Sequence, residues 1–73
     1  MSIITGVNAV EYSTLSIARK IRAAREAAGL TQAQVSRRAK IRIETLSRIE
    51  NASGNPTVRT VSKIARAIEQ LGA

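Results

Sequence analysis

Small and apolar residues recur every three or four positions from about Thr14 to Leu71, which predicts helices rather than strands. The inward-facing stripe predicted for the first helix is Ile17, Ile21, Ala24 and Ala28. Gly29 follows this stripe, and glycine is the usual residue just beyond a helix end. The pattern therefore predicts a first helix that begins near Thr14 and ends at Gly29.

Two shorter helices are predicted next, separated by a break of about three residues. Thr31 and Gln34 have the spacing of a capping box at the start of a helix over about Gln32–Ala39. The third helix is predicted over Ile43–Asn51. The residues expected to face the core from this pair are Val35, Ala39, Leu46 and Ile49. On the opposite face of the third helix, polar residues at helical spacing form a second stripe of Glu44, Ser47, Arg48 and Asn51.

A fourth helix is predicted after a loop at residues 53–56, with Thr57 as its cap. Its predicted inward-facing residues are Val58, Val61, Ile64 or Ala65, Ile68 and Leu71. The stretch Met1–Val10 is uncharged and rich in Ile, Val and Thr, and it is either a short strand or a loose arm. The sequence thus predicts a compact all-α domain of four helices over residues 13–73, preceded by an N-terminal arm over residues 1–12.

The large positive charge indicates that this helical domain binds a polyanion. The 73 residues include twelve Lys and Arg against five acids, all Glu, for a net charge of +7 and a pI near 11.5. Residues 19–40 hold seven of the basic residues and a single Glu. The excess is therefore central in the chain and not a charged tail, which favours a nucleic-acid partner.

The composition also argues against catalysis. The chain has no Cys, His or Asp, so a thiol nucleophile, an imidazole base, a zinc site and a disulfide are all excluded. We expect no enzymatic activity, no metal and no cofactor. No uncharged run reaches the length of a membrane span, and the N-terminus lacks the basic start of a signal peptide. A cytoplasmic protein without a membrane partner is expected.

The second and third helices, joined by a three-residue turn, have the spacing of a helix-turn-helix. In that arrangement the second helix of the pair enters the major groove of DNA. There Arg48 can form a bidentate contact with guanine, and Glu44 can accept a hydrogen bond from cytosine. An exposed Ile43 can cover a thymine methyl, although its spacing from Leu46 is equally consistent with a place in the core. Arg48 and Glu44 can alternatively pair with each other.

Three stretches match one known family: Gly29-Leu30-Thr31-Gln32, Leu46–Asn51 and Asn55-Pro56-Thr57. Over Leu15–Leu71 the chain resembles the lambda repressor/Cro-like (XRE) helix-turn-helix family. The resemblance implies that Gln32 holds a DNA phosphate. It also implies that Arg25 and Glu50 form a structural ion pair between the first and third helices.

Three residues depart from the family pattern. Ser36 stands where Ala is usual, Lys40 stands where the turn has Gly, and Arg42 stands where a Ser or Thr caps the third helix. Lys40 must therefore adopt a positive φ or reshape the turn. Arg42 leaves the third helix poorly capped unless a phosphate binds its amides.

Position and chemistry together give a candidate DNA-contacting set. Its members are Gln32, Arg38, Lys40, Arg42, Ile43, Glu44, Thr45, Ser47, Arg48 and Asn51. The claims of Arg38 and Lys40 are the weakest, because surface basic residues are most often only solvated. The amides of residues 53–55 are further candidates for phosphate contact.

The sequence predicts a double-stranded DNA-binding transcriptional regulator, a repressor acting as a homodimer. The repressor role rests on the resemblance alone. The alternative is an antitoxin that represses its own operon and binds a toxin protein, because compact domains of this family include antitoxins. In that case the apolar arm would add a strand to the sheet of the partner. Otherwise the arm is expected to be a contact between the two copies of the dimer or a frayed terminus.

Overall fold

The computed structural model describes residues 14–72 and contains four helices in that range. They are α1 (Ser16–Ala27), α2 (Gln32–Ala39), α3 (Ile43–Glu50) and α4 (Val58–Gly72). The predicted all-α fold is confirmed. The arm predicted over residues 1–12 lies outside the described residues. No helix within the described part of the chain is long and apolar enough to cross a membrane.

The turn between α1 and α2 forms as its cap residues predict. Gly29 has φ +71°, and the N–H groups of Gly29 and Leu30 donate to the carbonyls of Glu26 and Arg25, both at 3.0 Å. This is the Schellman motif, which satisfies carbonyls at the end of α1. At the start of α2, Thr31 and Gln34 bond each other's backbone N–H at 3.1 and 2.8 Å. The predicted glycine just beyond the end of α1 and the predicted capping box of α2 are both confirmed.

Helices α2 and α3 end in the same motif without a glycine. Lys40 has φ +60° and Ala52 has φ +59°. The N–H of Ile41 donates to the Ser36 carbonyl at 3.0 Å, and that of Ser53 donates to the Arg48 carbonyl at 2.9 Å. The turn of the helix-turn-helix thus keeps its shape, and Lys40 adopts the left-handed conformation. An L-residue in that conformation costs about 1–2 kcal/mol.

Lys40→Gly should therefore stabilise the domain. We expect its free energy of unfolding to rise by about 0.5–1 kcal/mol, because relief of the left-handed strain exceeds the added flexibility of the unfolded chain. Urea denaturation measures the change. Arg37→Gly, at an exposed helical position, is the control and should cost about 1 kcal/mol. A loss of stability in both variants would show that Lys40 is not strained.

The core lies where the inward faces of the four helices meet. Leu46, Ile64 and Val35 are fully buried at its centre. The buried cluster around them contains Ile21, Ala39, Ile49, Ala67 and Ile68. The predicted inward orientation of α2 and α3 is confirmed at all four of its residues. Ser36 is also buried, and its hydroxyl donates to the Ala33 carbonyl at 3.2 Å, so the family's usual Ala is replaced without leaving a polar group unpaired.

The predicted stripes of α1 and α4 were wrong at four positions. Ala24, Ala28, Val58 and Leu71 are exposed, Val58 to 83%. Of the alternatives Ile64 and Ala65, Ile64 is the buried residue. The two helices meet closely near their ends, where a Cβ added at Gly72 would lie 3.2 Å from the Cβ of Ala28. Elsewhere they leave an apolar groove between them, so residues on their facing sides do not all reach the core. Helix α3 also ends one residue earlier than predicted, with Asn51 as its cap.

Candidate nucleic-acid interface

Helix α3 presents one apolar and one polar face. Leu46 and Ile49 are buried, whereas Glu44, Arg48 and Asn51 are exposed on the other side. Ile43, for which core and groove positions were both open, is 42% exposed and lies outside the buried cluster. Its methyl groups are thus accessible to a ligand. The outward face of α3 combines a carboxylate, a guanidinium and an aliphatic side chain.

These side chains share one shallow, open depression with residues from neighbouring elements. Its lining, named here the recognition surface, consists of Gln32, Ile43, Glu44, Ser47, Arg48 and Ser53. Five of these six belong to the set chosen from sequence. Ser53 was foreseen only through its backbone amide. The sequence carries no signal for its side chain, because its position depends on the positive φ of Ala52, which follows the end of α3.

Arg48 is not paired with Glu44. Within residues 14–72, the ion pairs with N···O distances up to 4.0 Å involve other side chains. The alternative pairing of these two residues is therefore not formed. The aliphatic part of Arg48 passes Gly54, where an added Cβ would lie 3.8 Å from its Cδ. Both charged groups on the recognition surface are available to a ligand.

The start of α3 lacks a side-chain cap, as its sequence predicted. Arg42 occupies the cap position in an extended conformation and makes no capping hydrogen bond with its side chain. The first amides of α3 therefore lack this common partner. Thr45, in the first turn of the helix, is half-buried, as is Ser47. An anion at this helix start would find both amide donors and the positive end of the helix dipole.

A buried network fixes the end of α3 against α1. Arg25 Nε donates to Glu50 Oε2 at 2.7 Å, and its second terminal nitrogen donates to Oε1 at 2.9 Å. The remaining guanidinium nitrogen donates to the Leu30 carbonyl at 2.9 Å. Gln32 Nε2 donates to Glu50 Oε1 at 3.0 Å, so the same carboxylate also holds a recognition-surface residue. Bidentate pairing sets both distance and angle between the helices.

The network keeps Glu50 ionised despite its burial. The Glu50 side chain is only 2% exposed, and burial alone would raise its pKa. Hydrogen bonds from Arg25 and Gln32, with the attraction of the Arg25 and Arg22 charges, outweigh burial and hold its pKa below the ordinary 4.5. The hydrogen bond to Glu50 correspondingly raises the pKa of Arg25, against the opposing effect of burial. Both partners are charged at neutral pH.

The lowered pKa of Glu50 predicts that the domain loses stability in acid. Because the folded pKa of Glu50 lies below its unfolded value, its contribution is complete above about pH 4.5 and is lost as pH falls through the folded pKa. We expect the free energy of unfolding to fall over that interval in the wild type. Urea midpoints measured from pH 7 to pH 2 check this. Glu50→Gln should remove most of this loss of stability in acid, whereas Glu26→Gln should keep it. An equal loss in both variants would contradict the assignment of the effect to Glu50.

Five candidates from the sequence do not line the recognition surface: Arg38, Lys40, Arg42, Thr45 and Asn51. Arg38 and Lys40 line a different cleft between the end of α2 and α4, together with Lys63 and Arg66. Arg38 Nε donates to Gln70 Oε1 at 2.9 Å, a contact that sequence analysis missed because 32 residues separate the two. We name the four basic residues the basic cleft. It contributes positive potential without sharing the surface formed by α3.

The comparison with protein families identifies the pair α2–α3. A family model described as helix-turn-helix matches residues 21–69, which is most of the chain. The chain belongs to the lambda repressor/Cro-like helix-turn-helix family. Comparisons with curated proteins and with solved structures gave no match.

Family membership gives this protein a general function. This helix-turn-helix protein is a DNA-binding transcription regulator of the XRE type, in a regulatory family rather than a family of enzymes. The matched region contains α2, the turn and α3 in full. It also contains Arg25 and Glu50, so the helix-turn-helix and the network that orients it are matched together.

Proposed function

We propose that this helix-turn-helix protein binds specific duplex DNA sites as a symmetric dimer and represses transcription there. The observation that carries the proposal is the recognition surface. It groups the exposed side chains of α3 with Gln32 on one open face, while the opposite face of α3 belongs to the core. A short helix with one exposed face of this kind fits the major groove.

Each exposed side chain of α3 has a chemical counterpart on a base edge. The fork of Arg48 matches guanine O6 and N7, and the carboxylate of Glu44 accepts from cytosine N4. The accessible methyls of Ile43 match the C5-methyl of thymine. Since Arg48 and Glu44 do not pair with each other, no internal ion pair has to break before they bind. We propose these three residues as the sequence-reading set.

Gln32 and the helix ends position the domain on the DNA backbone. A side-chain amide nitrogen carries two hydrogens, and the bond from Gln32 to Glu50 uses one of them. The second is proposed to donate to a phosphate oxygen. Further phosphate contacts are proposed from Asn51 and from the amides of residues 53–55. Arg42, Thr45 and Ser47 are proposed to complete the set of residues that faces the groove. Arg38 and Lys40 act at longer range, through the potential of the basic cleft.

Selection of bound sequences from random duplex DNA tests the proposal. We expect one enriched motif, built as an inverted repeat whose half-sites are about 10–10.5 base pairs apart, because paired recognition helices lie about 34–36 Å apart. Enrichment of a single half-site would contradict the dimer and leave DNA reading intact. Failure to enrich any sequence would contradict specific recognition. In vitro transcription from a promoter overlapping the motif then separates repression from activation.

Salt dependence is the expected signature of the phosphate contacts. The logarithm of affinity should fall linearly with the logarithm of salt concentration, with a slope of about −0.9 per phosphate neutralised. Six contacts in a dimer would give about −5. Fluorescence anisotropy with a labelled duplex at several salt concentrations measures this slope. A flat response would contradict a binding mode based on phosphate contacts.

The antitoxin alternative assigns a second partner to the same chain. It requires the arm at residues 1–12, outside the described residues, to hold a toxin protein. Co-purification of a small partner with the full chain, and its loss on deletion of residues 1–12, would support this alternative. DNA binding is proposed in either case, and with it action in the cytoplasm and no catalytic step.

A further inference from the structure

An apolar groove lies between α1 and α4. From α1 it is lined by Ser16, Ile17, Lys20, Ile21 and Ala24, and from α4 and the preceding loop by Pro56, Val58, Val61, Ser62, Ala65 and Ile68. Its volume is about 710 Å³, which is room for several aliphatic side chains. No residue of α2 or α3 lines it, so it is separate from the recognition surface.

The groove leaves apolar side chains incompletely buried. Ile17 and Val61 pack against the core yet stay half-buried, and Val58 is 83% exposed. The lining of the groove is mostly apolar and is open to the surface of the domain. A segment with its own apolar stripe would bury these residues further and extend the core.

The N-terminal segment, residues 1–13, has the composition and the attachment point that fit this groove. It joins the described chain at Thr14, two residues before Ser16 on the rim of the groove. Ile3, Val7 and Val10 recur at the spacing that places side chains on one face of a helix. The segment carries one charge, on Glu11, opposite in sign to Lys20, the charged residue of the groove lining.

The segment is also long enough. The groove follows α1 from Ser16 to Ala24, about 12 Å at the rise of an α-helix. Thirteen residues reach about 20 Å as a helix and about 43 Å when extended. We propose that the N-terminal segment folds back into the α1–α4 groove of its own chain and completes the hydrophobic core. This proposal does not depend on DNA binding.

Paramagnetic relaxation enhancement in the full chain tests the proposal. The protein has no cysteine, so Asn8→Cys gives a single attachment site for a nitroxide, off the apolar stripe of the segment. We expect the amide signals of Ser62 and Ala65 in the groove to broaden. Those of Ser47 and Arg48 on the recognition surface should stay sharp. Absence of broadening in the groove would overturn the proposal.

A mixed sample distinguishes the chain's own segment from that of a second copy. In it, the spin-labelled chain carries no isotope label and the ¹⁵N-labelled chain carries no nitroxide. The comparison sample is a chain that carries both the ¹⁵N label and the nitroxide. Groove signals that are broadened in that sample but sharp in the mixture would support docking within one chain. Broadening of the groove signals in the mixture would show that the segment of another copy fills the groove, and would overturn the proposal.

Stability measurements on the full chain provide an independent test. Val7→Gln and Ala65→Gln should each lower the melting temperature by about 4–8 °C, the shift that a modest loss of packing gives in a domain of this size. Their combined effect should be smaller than the sum, because both remove the same contact. The matched controls Asn8→Gln and Ala23→Gln, both outside the proposed contact, should change little. Additive effects of the first pair would overturn the proposal.

Discussion

Glu50→Gln should destabilise the domain by about 3–5 kcal/mol, the usual cost of breaking a buried ion pair from one side. The substitution keeps the shape of the side chain but leaves the Arg25 guanidinium without its counter-charge. The Arg25 side chain is only 12% exposed, so water does not replace the lost carboxylate. A chain of 73 residues has a total stability of about 4–11 kcal/mol. The loss is therefore a large fraction of the whole, and chemical denaturation measures it directly.

Two further variants separate burial from charge. Glu26→Gln removes the partner of Arg22 and a longer contact with Arg25 at 4.0 Å. The Glu26 and Arg22 side chains are 58% and 57% exposed, so the cost should be at most about 0.5 kcal/mol. The double variant Arg25→Met with Glu50→Leu removes both buried charges and should recover most of the stability lost in Glu50→Gln. A cost below about 1 kcal/mol for Glu50→Gln would contradict a structural role for the pair.

Arg48→Ala should weaken binding to the preferred DNA site by about 1–3 kcal/mol, roughly 5- to 150-fold in affinity. The loss should be confined to sites with the correct base at one position, and preference at that position should relax. This expectation follows from our proposal that the Arg48 fork contacts a base edge rather than the backbone. Anisotropy titrations against the selected site and its single-base variants measure both effects.

Arg19→Ala is the matched control for charge. It removes the same charge from an exposed position on α1, outside the recognition surface. We expect a small loss of affinity that is equal on all sequences. If Arg48→Ala behaves in the same way, then Arg48 contacts a phosphate, and the base-reading assignment is wrong.

Local chemistry made the central helices predictable. The bounds of α2 follow from Thr31 and Gln34 at one end and from the turn at the other, and these signals lie within a few residues of the helix. Lys40 was predictable as a strained residue for the same reason, since the turn itself requires a left-handed conformation. The polar stripe of α3 likewise followed from residue spacing alone.

Contacts between distant elements were less predictable. A stripe of apolar residues shows which face of a helix turns inward, but not how closely its neighbour approaches. Ala24 and Val58 consequently lie on the groove and not in the core. The bond from Gln32 to Glu50 spans 18 residues and depends on the packing of α3 against α2. Because of this bond, Gln32, a candidate DNA contact, shares the Glu50 carboxylate with Arg25.

Dimethyl sulfate protection of the selected duplex tests the central claim most directly, because the reagent methylates guanine N7 in the major groove. With α3 in that groove, the wild type should protect a guanine in each half-site. Arg48→Ala, at concentrations that saturate the site, should leave that guanine reactive. Unchanged N7 reactivity on a duplex that the wild type fully occupies would show that the exposed face of α3 does not enter the major groove.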